Sequence, residues 1–233
     1  MIPISGFPAG RRKDRPRWTA PRAARNRGAS PLAVKPHARQ RIREARNDAY
    51  RSLILEAAEH VFAARGYAEA KVQEIAAAAG VATGTVYAIF PSKEELYRAV
   101  HRVNLEELAK LYAEIPGDRD SRDVIRDRVA VSTRFLTSRP DYLRIYVREA
   151  AGWGFDATAL PKGAADFVDQ ELYRRGVLRG ELVDEDPALL SSLSIAGSHV
   201  ILFHWLKGGM RESADELTRR ILAYTERTLF RPE

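Results

Sequence analysis

Residues 74–96, EIAAAAGVATGTVYAIFPSKEEL, constrain this chain more than any other stretch. Ile75, Ala76 and Ala79 supply the small apolar face of a short helix. Gly80 ends it, because a residue tolerant of positive φ closes a helix at little cost. Gly80-Val81-Ala82 then forms a tight corner, and a second short helix runs from Thr83 to about Phe90. Pro91 and Ser92 open a third helix, with Ser92 and Glu95 at capping-box spacing. A corner of this kind is a helix-turn-helix, whose second helix fits a DNA major groove.

The rest of the chain is punctuated as helices. Apolar positions Ile42, Ala45, Ala49, Leu53, Ala57 and Val61 recur on roughly one face, which predicts a helix over 39–65 closed by Gly66. Further helices are expected over 92–114, 121–138, 141–151, 160–178, 187–206 and 213–230, with prolines and glycines at their edges. Strand-like alternation does not persist anywhere. The expected fold class is all-α: a three-helix head over 39–92 and a larger helical body over 93–233.

The run Ile75-Ala76, Ala79-Gly80-Val81, Gly84-Thr85-Val86-Tyr87, Phe90 and Ser92-Lys93-Glu94-Glu95-Leu96 resembles the DNA-binding domain of TetR-type (tetracycline repressor-like) regulators. The resemblance is dense from Ala49 to Val100; beyond about residue 115 it is architectural only. It implies a homodimeric transcription regulator, most often a repressor, that reads a near-palindromic operator in double-stranded DNA and releases it when a small effector binds the body. It also places the hydroxyl of Tyr87 and the ammonium of Lys93 on phosphates.

The residues themselves add roles. Thr83 and Thr85 can bond bases or phosphates, and Gly84 lets the backbone approach DNA closely. Lys71 and Gln73, at the start of the preceding helix, are placed to hold the other side of the groove. Val86, Ile89 and Phe90 are expected to pack on the first helix. Ala82 stands where the resembled pattern has Ser or Thr, which removes a side-chain cap worth about 1 kcal/mol unless Thr83 takes it over. No Arg, Asn or Gln lies within 83–90, so the helix is poor in base-reading groups.

Charge is concentrated at the N-terminus. Residues 1–47 hold 13 Lys and Arg against 2 Asp and Glu, while the chain as a whole carries +7. Six of the twelve prolines fall in 1–38, a segment without apolar periodicity that is expected to stay disordered. Such an arm can track a phosphate row or a minor groove, and Arg43 and Arg46 at the start of the first helix extend it.

The chain has no cysteine, which excludes disulfides and thiolate metal sites; no cofactor or metal is expected. No unbroken apolar run approaches membrane-spanning length and no signal peptide precedes the helices, so no membrane partner and a cytoplasmic location are expected. Nucleophile–base pairs and phosphate loops are missing, which argues against an enzyme. The 187–206 segment is apolar around its circumference and suits both a core and a subunit interface. Leu217, Ile221, Tyr224 and Leu229 form either core or a second dimer stripe. Tyr146, Trp153, Phe167, His199 and Phe203 are the candidate effector-binding residues. The alternative reading is an all-α ligand-binding or adaptor protein with weak or non-specific DNA binding.

Overall fold

The computed structural model describes residues 36–150 and 170–232. Among the described residues there are nine helices: α1 (Pro36–Arg65), α2 (Val72–Ala78), α3 (Thr83–Ile89), α4 (Lys93–Ala113), α5 (Ser121–Thr137), α6 (Pro140–Ala150), α7 (Gln170–Leu178), α8 (Pro187–Lys207) and α9 (Ala214–Leu229). The only β pairing among them is an isolated bridge from Leu182 to Phe230, which ties the end of α9 to the α7–α8 connection. The all-α expectation therefore holds, with boundaries within a few residues of those read from Pro, Gly and cap positions, except that the expected start of the 160–178 helix lies outside the described residues.

Caps explain the helix starts. Ser92 accepts from the Glu95 amide at 3.0 Å, and Asp186 accepts from Ala188 at 3.0 Å just before Pro187. Ser213 and Glu216 make a reciprocal capping box at the head of α9. Each satisfies amides that the first helical turn leaves without partners.

A compact unit begins at Ile42; the described residues before it, 36–41, are the opening of α1. The boundary expected at 92–93 falls inside this unit, because Leu96 and Val100 of α4 are buried in the same core as Ile54 and Phe62 of α1. In the body α5 packs on α9, α7 on α8, and α8 on α9. Leu217, Ile221 and Leu229 are fully buried there, so the α9 stripe is intrachain core and not a dimer face.

Gly197 sets the α8–α9 spacing. A Cβ at this position would lie 1.8 Å from Cε1 of Tyr224, well inside van der Waals contact. Gly197→Ala is therefore expected to force the two helices apart and lower stability by about 1–3 kcal/mol. A fall in the urea midpoint checks this; an unchanged midpoint contradicts the packing.

α8 has the length and apolarity to cross a membrane, a result its interspersed serines and histidines had masked. It packs against α6, α7 and α9, yet only 28% of its most apolar window is buried. Leu189, Val200 and Phe203 are 45%, 56% and 41% exposed.

His101 of α4 is buried between Tyr97 and Tyr142, whose rings meet it edge-on at 4.7 and 5.7 Å. Burial pushes its pKa down from 6.5 to about 4. Between those values the unfolded chain holds a proton that the folded chain excludes, so stability falls as pH drops through this window. At pH 5 the loss is about 2 kcal/mol from this residue. Urea midpoints at pH 7 and pH 5 check it: His101→Leu is expected to show a flatter pH dependence than the parent, and an equally steep one contradicts the assignment.

Candidate nucleic-acid interface

The axes of α2 and α3 are bent by 103°, within the range of a helix-turn-helix. Gly80, at φ +66°, makes the corner; Gly80 N–H donates to Ala77 and Val81 N–H to Ala76, closing the end of α2. The underside of the pair is locked by burial of Val72, Ile75, Ala76, Val86 and Phe90, with Leu55 and Ile89 partly buried against them. Packing of Val86, Ile89 and Phe90 beneath the helix agrees with the sequence reading.

The outer surface carries the other candidates. Lys71 and Gln73 are exposed at the start of α2; Thr83 and Thr85 are half-exposed, and Gly84 is open. Tyr87 is 46% exposed at the centre of α3, an unusual position for an aromatic side chain that serves only packing. Arg43 and Arg46 are exposed on α1. α3 begins at Thr83 with Ala82 as its N-cap and no side-chain cap bond, so Thr83 does not take over the missing cap. Lys71 likewise precedes α2 without capping it through its side chain.

Lys93 departs from expectation. Its ammonium donates to the carbonyls of Tyr67, Ala68 and Ala70 at 2.8, 3.1 and 3.2 Å and lies 4.6 Å from the Tyr67 ring centroid. An ammonium has three protons, and these three carbonyls take them. Lys93 thus pins the α1–α2 connection to the head of α4, and the phosphate contact implied by the resemblance is not where its protons point. Nothing in the sequence near Lys93 signals those carbonyls, since they lie more than 20 residues away and meet it only in the fold.

Two further features escaped the sequence reading. Arg51 of α1 lies over the Phe90 ring at 4.6 Å, beside the end of α3; its only local signal is a position three residues before the first buried residue, Ile54. A polar seam also joins α1 to α4 and α6. His60 meets Asp141 at 2.9 Å, and Arg148 donates to the carbonyls of Phe62 and Ala63 at 3.3 Å each. Asn104 donates to Glu59 at 2.8 Å and accepts from Arg139 at 3.3 Å. Glu59 has a raised pKa, chiefly because it is desolvated.

Of the candidate effector residues, Tyr146 and His199 meet: their rings stack at 4.2 Å and 25°. His199 Nδ1 lies 3.1 Å from the Ile195 carbonyl, and its buried Nε2 has no hydrogen-bond partner among the described residues. Burial holds its pKa down at about 4 and raises that of the Tyr146 hydroxyl. Phe203, one turn beyond His199, does not join this pair: it is 41% exposed, with the Lys207 ammonium 5.0 Å from its ring centroid. Trp153 and Phe167 lie outside the described residues.

An all-α chain with an outward-facing, rigidly backed bihelical corner falls in the class of helix-turn-helix proteins. Residues 54–100 match the family described as "Bacterial regulatory proteins, tetR family". The chain is also 33% identical over 100 residues to the HTH-type transcriptional repressor KstR2 of Rhodococcus jostii (strain RHA1), covering 42% of this chain and 49% of that protein. It thus spans about half the length of this curated relative. The fold is similar to that of the fatty acid degradation regulator FadR from Bacillus halodurans (20% identity, 75% of this chain and 93% of that one, TM-score 0.65). It is similar too to FadR from Bacillus subtilis in complex with stearoyl-CoA (18% identity, 75% and 96%, TM-score 0.62). Residues 54–100 are thus similar to the DNA-binding segment of the tetR family.

Proposed function

We propose that this chain is a dimeric, cytoplasmic transcription regulator, not an enzyme, that binds a near-palindromic operator as a repressor and releases it when a small effector occupies the body. In this reading residues 39–92 are the DNA reader, 93–233 the dimerising and effector-binding body, and 1–38 a basic arm. The observation that carries it is Tyr87, exposed on a short helix whose Val86 is buried, with Lys71, Gln73 and Gly84 exposed and Thr83 and Thr85 half-exposed around it. Tyr87 contributes a phosphate bond; the threonines meet base edges and thymine methyls. Arg43 and Arg46 add charge that neutralises phosphate.

Release follows from α6. Tyr146 stacks on His199 in the body, and two residues later Arg148 holds the last carbonyls of α1. An effector that displaces the Tyr146 ring would shift α6 and thereby the head. It does so only to the extent that it binds the shifted state more tightly. His199, neutral at pH 7, offers Nε2 as a hydrogen-bond acceptor to such a ligand. Because B. subtilis FadR is seen with stearoyl-CoA, acyl-CoA esters are the first effector class to test.

Affinity selection of genomic fragments by the purified protein, at two salt concentrations, tests the reading. A palindromic motif that survives the higher salt supports it. Uniform recovery at low salt that vanishes at higher salt would favour non-specific DNA binding instead.

A further inference from the structure

We propose that Arg51 is a DNA-contacting residue, its guanidinium laid over Phe90 at the end of the recognition helix so that its N–H edge meets a backbone phosphate. This rests on the DNA-reading function proposed above. The geometry begins with Phe90, the C-terminal cap residue of α3, which is 3% exposed and so cannot move freely. The Arg51 guanidinium carbon sits 4.6 Å from its ring centroid. A guanidinium lying over a ring face at this distance can keep its in-plane donors available for a phosphate fork.

Three cations of the head are committed elsewhere, unlike Arg51. Lys93 donates to three carbonyls, Arg65 faces Glu74 at 3.8 Å, and Arg98 binds Glu94 at 2.6 Å. Arg51 has no carboxylate partner among the described residues and is half-exposed. Its platform residue is the C-cap of α3, three residues after Tyr87, so the Arg51 guanidinium lies at the end of that helix. Residues 83–90 contain no cation, and Arg51 supplies one from α1. Because the ring restrains the long side chain before DNA arrives, less rotamer entropy is lost on binding.

The test uses the full chain and a duplex carrying the motif recovered by fragment selection, with affinity measured across a salt series and thermal unfolding measured alongside. Arg51→Ala is expected to lose roughly tenfold in affinity and to lower the slope of log affinity against log salt by about 0.9 per DNA-bound subunit, the value of one phosphate contact. Arg51→Lys, which keeps the charge and most of the stem, is expected to retain the slope while binding more weakly. If both variants match the parent in slope and affinity, or if Arg51→Ala loses only thermal stability, Arg51 is a packing residue and the proposal fails. Should the parent show no site-specific binding, the DNA-reading function fails and this proposal with it. Arg51 alone is refuted when the parent binds and the variants bind with the parent's slope.

Discussion

Replacing Val200 and Phe203 together by glutamate is expected to convert the proposed dimer into monomers and to lower affinity for its proposed operator by about two orders of magnitude or more. α8 is apolar around its circumference, yet much of it faces outward, with Leu189, Val200 and Phe203 all more than 40% exposed. A row of large apolar side chains along a long helix is costly to leave in water, and a second copy of the same face is its simplest cover. Two carboxylates at the centre of that contact would be desolvated without partners. Loss of the second subunit removes the effective concentration that holds the second recognition helix on its half-site, a factor of about 10² to 10⁴. Because both residues are exposed, the protomer itself should stay folded. Sedimentation and a DNA titration on the same samples check it; an unchanged mass with unchanged affinity would move the dimer contact off α8.

Lys93→Met is the second large effect, and its signature differs from that of a phosphate contact. Removing a charged donor from three carbonyls is expected to lower stability by about 2–3 kcal/mol, since each loses a charge-assisted partner, two of them in part-buried places. DNA affinity should fall as well, because Lys93 fixes the α1–α2 connection against the helix that follows the reader. The salt slope should stay as it is in the parent. A normal unfolding curve together with a slope lowered by about 0.9 would instead return Lys93 to a phosphate.

The contrast between Lys93 and its surroundings shows what a sequence can and cannot convey here. Helix boundaries were legible because Pro140, Pro187, Gly66, Gly80, Ser92 and Ser213 act locally, through φ restriction and capping, on the residues beside them. The helix-turn-helix was legible for the same reason, as was the missing cap at Ala82. Partners of long cations were not. Lys93, Arg51 and Arg148 each find their contacts on another helix or connection, and which one depends on how the helices pack.

Periodicity failed at α8 for a physical reason. When apolar residues surround a helix, the pattern does not say which side meets the body, so Phe203 could not be told from His199 although they stand one turn apart. Tyr224 and Gly197 show the complementary limit. The ring packed against Gly197 comes from α9, whose Tyr224 stripe the sequence left open between core and a dimer contact.

In the proposed function, a pair of these heads reads two half-sites. A hydroxyl-radical footprint on the selected operator, at about physiological ionic strength where non-specific contacts weaken, tests it most directly. Two protected patches on one face of the duplex, with centres one helical turn (about 34–36 Å) or a multiple of it apart and two protomers bound per site, are the expected result. A single patch with one protomer, or uniform protection that a random duplex competes away equally well, would contradict the account.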